Sequence, residues 1–282
     1  MSGFDAVLSA LSARIERLSA SLGERVDVAA MGVTDRTGHL DLDPPTRVSP
    51  NRACRLVRAA DGWIAVNLAR EEDRELVPAW LEGEIGEPAW EQVERLAAGR
   101  TTARLIADGI LLGLPVAAVG EVAAATSWAA PRPRGPARPR TGAPKVVDLS
   151  ALWAGPMCGA ILAAAGCEVT KVESAARPDP TRTATPELDR RLNGAKRLRT
   201  FDFADPQDRA ALREAVLAAD VVITGARPRA FAALGFAPEE IAAGGAVWVA
   251  ITGYGWDEGH RVAFGDDAAA AGGLVGWTAA GE

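Results

Sequence analysis

Two adjacent carboxylates, Asp266 and Asp267, are the most conspicuous chemical feature of the 282-residue sequence. They follow an apolar run at residues 247–251 and a glycine turn at residues 253–255, and they precede a segment of small, helix-forming residues. An aspartate at the start of a helix is able to act as a nucleophile or a base, and it is equally able to cap the helix by accepting backbone N–H groups. The residue types alone leave both roles open.

Basic residues after predicted turns form a second group of candidates. Lys196 and Arg197 follow a turn that begins at Asn193, and Arg182 and Arg227 follow turn-like segments near expected strand ends. Arginine binds phosphate through its planar fork and lysine acts as a point charge. Open α/β sheets bind ligands beyond the carboxyl ends of their strands, which favours a phosphate site here. A solvated pair of surface charges is the alternative for Lys196 and Arg197.

Histidine and cysteine give weaker signals. Only His39 and His260 are present, and a lone histidine in a loop is more often structural than catalytic. Three cysteines without metal-like spacing predict reduced thiols that pack as small apolar groups, with no zinc site. We therefore expect a cytoplasmic protein.

The composition restricts the class of protein. Apolar residues make up 48% of the chain and charged residues 24%, which is typical of a globular protein with a sizeable core. The formal net charge of -6 disfavours nucleic acid as a partner, because nucleic-acid-binding proteins usually carry a basic face. The sequence has no apolar run of roughly 18 residues, so we expect no membrane span.

The N-terminal part is predicted to be a small α+β domain. Two strands at residues 52–68 flank the turn Ala60-Asp61-Gly62, because Asp-Gly is a strong hairpin signal. The remaining elements follow from apolar spacing and from turn residues. They are helices at 4–22, 71–81, 90–98 and 101–112, a loop at 35–50 and a strand at 115–119.

A segment rich in proline and arginine at residues 131–140 interrupts this pattern. Proline at this density cannot continue a helix or a central strand, so the segment is expected to be an extended, solvated tether. The predicted organisation is a small domain at 1–128, a linker at 129–144 and a second domain at 145–282.

After the linker, strands alternate with helices, which predicts a parallel sheet covered by helices. The expected strands are 146–149, 168–173, 198–203, 221–224 and 247–251, and the expected helices are 156–165, 206–218 and 238–243. Gly155, Gly159 and Gly166 follow the first strand, but their spacing is not GxGxxG. We therefore interpret them as close helix packing and disfavour an NAD-dependent dehydrogenase.

Several motifs occur together in a consistent order. They are VVDLSALWAGPMCGAILAAAGCEVTKVES, DPTR, NGAKRLRTFDF, VVITGARPRAFAALGF and ITGYG followed by GDD, between residues 146 and 274. This arrangement resembles the family III CoA-transferases, which include formyl-CoA transferase, carnitine CoA-transferase and alpha-methylacyl-CoA racemase. The resemblance implies a Rossmann-like parallel sheet with flanking helices. Residues 55–68 and 100–122 resemble the family's smaller α+β domain, in permuted order.

The resemblance also implies a catalytic role for one of the two acids. Asp267 lies 12 residues after Gly255, which is the position of the family's nucleophilic aspartate, and Gly265 matches a family glycine. Racemase-like members carry histidine where this chain has Asp266, so racemisation is the less favoured activity. We expect the Asp266 side chain to diverge from that of Asp267 and to be more solvated.

The implied activity is transfer of CoA from an acyl-CoA to a small carboxylic acid through an aspartyl anhydride and an aspartyl thioester. Coenzyme A or acyl-CoA is then a substrate, no cofactor is permanently bound, and the expected assembly is an intertwined homodimer. By the resemblance, the CoA contacts are Arg182, Asn193, Lys196, Arg197 and Arg227.

One departure from the family keeps an alternative open. The family's second large-domain portion and its glycine-rich loop have no counterpart in residues 145–282. A non-catalytic CoA-binding subunit, or a fragment of a family member, is therefore the alternative prediction.

Overall fold

The computed structural model describes residues 3–33, 46–123, 131–139 and 141–277. His39 and most of the predicted loop at 35–50 lie outside the described residues, as do residues 129, 130 and 140 of the predicted linker.

The described chain contains twelve helices and eight strands. The helices are α1 (Gly3–Ser19), α2 (Glu71–Glu75), α3 (Val77–Leu81), α4 (Ala89–Ala97), α5 (Thr102–Leu112), α6 (Ala154–Ala164), α7 (Thr181–Ala184), α8 (Pro186–Asn193), α9 (Pro206–Leu217), α10 (Pro228–Ala233), α11 (Pro238–Ala243) and α12 (Gly265–Ala271). The strands are β1 (Cys54–Arg58), β2 (Trp63–Asn67), β3 (Val116–Ala118), β4 (Lys145–Leu149), β5 (Glu168–Ser174), β6 (Arg197–Phe201), β7 (Val221–Thr224) and β8 (Val247–Ala250).

These elements form two compact units. The parallel-sheet unit contains α1 and the described residues from Pro131 to Ile251, and the hairpin unit contains the described residues of 42–130 together with those from Thr252 onward. The division differs from the predicted segments 1–128 and 145–282. The apolar residue Leu22, just after α1, packs with Val146 and Val169 of the parallel sheet, whereas α12 packs on β2 and β3.

The parallel-sheet unit has five strands in the order β6-β5-β4-β7-β8, and every neighbouring pair is parallel. The predicted α/β class, with a parallel sheet flanked by helices, is confirmed. Alternate residues of the central strands enter different cores, as the period of a strand requires. Val147 and Val222 pack with α9, α10 and α11, whereas Val146 and Ile223 pack with α6.

Local sequence signals explain where the helices of this unit begin. Asp205 caps α9, since its side chain accepts hydrogen bonds from the backbone N–H groups of Gln207 and Asp208, and Pro206 occupies the first helical position. In α8, which was not predicted, Leu188 and Leu192 are four residues apart and both are buried. Charged residues surround the two leucines, so the sequence pattern does not indicate this short apolar stripe.

The hairpin unit has an antiparallel sheet in the order β1-β2-β3, with Val57 opposite Ile64 and Ala65 opposite Ala117. The predicted hairpin and third strand are therefore confirmed. The single helix predicted at 71–81 is wrong, because the chain forms α2 and α3 with Leu76 between them. Pro78 lacks an N–H group and so cannot continue the hydrogen-bond pattern of α2.

The proline-rich segment at residues 131–139 forms neither helix nor strand, and most of it is exposed. It is nevertheless anchored to the parallel-sheet unit. Arg138 Nε donates to the Gly244 carbonyl at 2.7 Å, and Arg138 Nη1 donates to the Leu217 carbonyl at 2.9 Å. The expectation of a fully solvated tether is therefore wrong at Arg138.

No helix in the described part of the chain combines the length and apolar character that crossing a membrane requires. Within the same residues, no three His, Cys, Asp or Glu side chains are grouped so that they could hold a metal ion.

Candidate active site

Asp267 is the third residue of α12, and its side chain is fully buried within the hairpin unit. Its Oδ1 atom accepts two hydrogen bonds, one from the Phe264 backbone N–H at 2.9 Å and one from Asn67 Nδ2 at 3.0 Å. Its Oδ2 atom is buried and has no hydrogen-bond partner among the described residues. One oxygen of the carboxylate thus caps the helix while the other stays available for chemistry.

Burial dominates the electrostatics of this carboxyl group. It raises the pKa of Asp267 from 3.8 to about 6, although the hydrogen bonds from Phe264 and Asn67 act in the opposite direction and Asp266 adds a further small increase. Asp266 itself is half-buried, so the two acids diverge in exposure as predicted. A carboxyl group whose pKa is about 6 is mostly ionised at neutral pH, and its burial leaves the ionised form poorly solvated.

Small side chains bring α12 close to the antiparallel sheet. Ala270 packs with Ala65 and Cys54, and all three are buried. The C-terminal end of α12 is held by the segment after β3, because the N–H groups of Gly120 and Val122 donate to the carbonyls of Ala270 and Ala271. These contacts fix the position from which Asp267 projects.

The segment before α12 is tied to the same unit through Glu121. Tyr254 Oη and Arg261 Nη2 both donate to Glu121 Oε1, at 2.9 and 2.7 Å. The Arg261 guanidinium also lies 3.4 Å from the centre of the Tyr254 ring. His260 is 64% exposed at its side chain and lies 3.5 Å from Glu258, which agrees with a surface role rather than a catalytic one.

In the parallel-sheet unit, the Lys196 ammonium is directed inward. It donates to Asp148 Oδ2 at 2.8 Å, to the Pro156 carbonyl at 2.7 Å and to Asn193 Oδ1 at 2.9 Å, so its three hydrogens are all engaged. Asn193 Nδ2 in turn donates to Asp189 at 2.7 Å. Burial lowers the pKa of Lys196, and the Asp148 carboxylate opposes that effect.

This arrangement corrects the expectation that Lys196 and Asn193 contact phosphate, since both side chains bind groups inside the protein. The lack of a side chain at Gly159 leaves room for the Lys196–Asp148 pair against α6, because a Cβ atom there would lie 2.8 Å from Asp148 Oδ2 and from Lys196 Nζ. A Cβ atom on Gly155 would lie 2.0 Å from Ser150 Oγ. The interpretation of these two glycines as close-packing positions is confirmed.

A second buried ion pair joins Lys171 of β5 to Asp179, which lies in the segment after that strand. Lys171 Nζ is 3.0 Å from Asp179 Oδ2, and both side chains are buried. Burial acts to raise the pKa of Asp179, but Lys171 and Thr181 outweigh it and hold the pKa below its usual value. Asp179 also accepts from the N–H of Leu152, whose φ of 70° lies in the left-handed region. The ion pair therefore holds the loop after β4 in a strained conformation.

The remaining basic candidates lie at different places. Arg182 follows β5 and bonds Glu173 at 2.5 Å, with 39% of its side chain exposed. Arg227 is half-buried and precedes α10, after the carboxyl end of β7. Arg197 is exposed and opens β6. The strand order reverses between β4 and β7, so Arg227 follows a strand at the switch point of the sheet, whereas Arg182 follows β5 on the other side of β4.

Sequence reasoning missed the residues that hold these groups in place, above all Asn67, Glu121, Asp148 and Asp179. Asn67 ends an otherwise apolar strand, which is a weak signal for a buried polar function. Its pairing with Asp267 joins positions 200 residues apart, and no local pattern reports such a contact.

Comparison with known proteins agrees with the motif pattern. Residues 144–282 match the sequence model of CoA-transferase family III. This region of the chain is therefore similar to the family III CoA-transferases.

Two curated relatives are similar to less than half of the chain. Succinyl-CoA–D-citramalate CoA-transferase of Chloroflexus aurantiacus is 32% identical over 145 residues, which cover 46% of this chain and 35% of that protein. An acyl-CoA transferase of Fusarium pseudograminearum is 30% identical over 150 residues, which cover 46% and 33%. The chain thus spans about a third of the length of these relatives.

A crystal structure of a CaiB/BaiF family protein from Brucella suis is 31% identical, with a TM-score of 0.38, and the match covers 44% of this chain and 36% of that one.

The buried carboxyl group predicts a pH-dependent effect on stability. Because the pKa of Asp267 is higher in the folded protein (about 6) than the ordinary value of 3.8, its protonated form contributes stability that is lost as the pH rises through about 6. Asp267→Asn should therefore raise the free energy of unfolding at pH 8 by about 3 kcal/mol, and the gain should disappear below about pH 4. Urea denaturation across this pH range measures the difference.

Asp266→Asn is the matched control, because that side chain is only half-buried and should show a much smaller gain. Equal stability of Asp267→Asn and the parent protein at pH 8 would contradict the prediction.

The inward-facing lysine predicts a large cost when its charge is removed. Lys196→Met leaves the Asp148 carboxylate buried without its cation, so we expect a loss of about 3–5 kcal/mol. The adjacent Arg197→Met should change stability by less than about 0.5 kcal/mol, because Arg197 is exposed. Urea denaturation of the two variants tests this. A Lys196→Met protein of parental stability with weaker CoA binding would instead restore a ligand role for Lys196.

Proposed function

We propose that the protein transfers CoA from an acyl-CoA to a small carboxylic acid, with Asp267 as the nucleophile. The observation that supports this most strongly is the state of the Asp267 carboxyl group. It is fully buried, one oxygen is held by two hydrogen bonds, and the other oxygen has no partner in the described chain. The match of residues 144–282 to CoA-transferase family III supports the same reaction class.

The proposed reaction begins with attack of Asp267 Oδ2 on the thioester carbonyl. The C–S bond breaks, CoA leaves as the thiolate, and an acyl-aspartyl anhydride forms. The thiolate then attacks the aspartyl carbonyl, which releases the first carboxylate and leaves an aspartyl-CoA thioester. Covalent steps of this kind divide one difficult exchange into easier ones.

The acceptor carboxylate completes the exchange. It attacks the aspartyl thioester and displaces CoA thiolate, which gives a second anhydride. The thiolate then attacks the acceptor's acyl carbon, so that a new acyl-CoA forms and the Asp267 carboxylate is regenerated. Electrons and protons balance in this sequence without any redox partner or metal ion.

For CoA itself, we propose contacts with Arg182 and Arg227 and, from the family resemblance alone, with Arg197, which begins β6. Arg182 and Arg227 follow the carboxyl ends of β5 and β7, the edge at which open α/β sheets bind ligands, and β7 lies beside β4 at the switch point. The loops after β4 and β7 also approach closely there, since a Cβ atom on Gly225 would lie 3.6 Å from Ser150 Cβ. A homodimer, which the family resemblance implies, and a cytoplasmic location, which the reduced thiols predict, belong to the same proposal.

The experiment is to trap the acyl-enzyme. The full chain is incubated with acyl-CoA and hydroxylamine, and mass spectrometry should find a hydroxamate at Asp267, because hydroxylamine attacks an aspartyl anhydride or thioester. Asp267→Ala should lose transfer by at least about 1,000-fold, since no other group replaces a covalent nucleophile.

CoA affinity, measured by calorimetry, should be unchanged in Asp267→Ala, and Asp266→Ala should retain the hydroxamate at Asp267. CoA binding without modification of Asp267 would refute the catalytic proposal and support a CoA-binding subunit instead.

A further inference from the structure

Asn67 and Asp267 form a buried polar pair inside the hairpin unit. Asn67 is the last residue of β2, is 2% exposed and donates from Nδ2 to Asp267 Oδ1 at 3.0 Å. Each of the two groups has a second oxygen that is buried and has no hydrogen-bond partner among the described residues, namely Asn67 Oδ1 and Asp267 Oδ2. The two side chains thus share one hydrogen bond, and each of them also carries one unsatisfied acceptor oxygen.

Such an arrangement needs an explanation, because a buried acceptor without a donor costs about 1–3 kcal/mol. An amide oxygen and an ionised carboxylate are both acceptors, so they cannot satisfy each other. A carboxylic acid carries an O–H donor, and an acid and an amide are able to pair through two parallel hydrogen bonds. A single proton on Asp267 Oδ2 would therefore account for both orphaned atoms.

We propose that Asn67 is a positioning residue that holds protonated Asp267 in a two-bond acid–amide pair, with Oδ2–H donating to Asn67 Oδ1. When the acid ionises, the O–H bond breaks, its electron pair stays on Oδ2 and the proton goes to solvent. Oδ1 remains held by Asn67 and Phe264. Oδ2 then faces an amide oxygen without a donor, so it becomes the less stabilised and more nucleophilic oxygen.

The surroundings favour the protonated form. Asp266 lies beside Asp267 on α12, Cys54 lies opposite Asn67 on β1, and Tyr254 is the other titratable group that interacts with Asp267. Burial raises the pKa of the Cys54 thiol and of the Tyr254 hydroxyl, so both remain neutral. β3, which packs on α12, has the sequence VAA and carries no titratable side chain.

Arg70, which lies near the start of α12, is already bound to another carboxylate. Arg70 lies over the Phe264 ring at 5.9 Å and forms an ion pair with buried Asp73. Burial raises the pKa of Asp267 to about 6, which is consistent with a proton held in this environment.

The test is a carbon-13 NMR titration of the full chain between pH 4 and 8, without substrate. The Asp267 carboxyl signal should titrate near pH 6, and the side-chain carbonyl of Asn67 should move with the same midpoint, because it loses its proton donor. Asp266→Asn should preserve this joint titration. An Asp267 carboxyl that is ionised throughout, or an Asn67 carbonyl that does not respond, would overturn the proposal.

The consequence for catalysis rests on the proposed function and has a separate readout. Asn67→Leu should slow acylation of Asp267 by about 100-fold, since a displaced nucleophile loses its alignment, while CoA affinity stays at the parent value. Asn67→Leu with the parental acylation rate would rule out a positioning role. If Asp267→Ala keeps transfer activity, the proposed function fails. The acid–amide pair of Asn67 and Asp267 is tested separately by the NMR titration, whose result does not depend on transfer activity.

Discussion

The structure depends on which groups compensate the carboxylates that are buried away from water. A buried charge is tolerated when an opposite charge and hydrogen bonds compensate for its lost hydration. Among the described residues, four buried carboxylates lie in ion pairs: Asp73 with Arg70, Asp148 with Lys196, Glu173 with Arg182 and Asp179 with Lys171. The fifth, Asp267, is held by an amide and a backbone N–H group instead.

Under the proposed function, this contrast separates the structural acids from the nucleophile. The paired acids of the parallel-sheet unit hold the loops that follow β4 and β5, as the contact between Asp179 and the Leu152 N–H shows. An ion pair lowers the energy of a carboxylate and so weakens it as a nucleophile. Asp267 receives no such charge compensation, and its raised pKa reflects the energy stored in the ionised form. The proposed reaction uses that energy.

The elements were predictable where local patterns are strong. The hairpin at β1 and β2 and the alternating strands and helices after the linker follow from short-range spacing. The choice of Asp267 follows from motif order and stays a prediction. The failures share a cause. Pro78 divides a predicted helix, α8 hides two buried leucines among charges, and Lys196 turns inward because Asp148 lies within reach across the fold. A charged loop motif looks alike in sequence whether it binds phosphate or an internal carboxylate.

The fold class, the order of most elements and the match of residues 144–282 to CoA-transferase family III follow from the amino-acid sequence alone, because they depend on periodicity, turn residues and motif spacing. The burial and the partners of each charged group depend instead on tertiary contacts. Asn67 and Asp267 are 200 residues apart, yet β2 and α12 pack together and bring an amide onto a carboxyl group. Burial and hydrogen bonding are properties of that contact, so no stretch of sequence around Asp267 contains them.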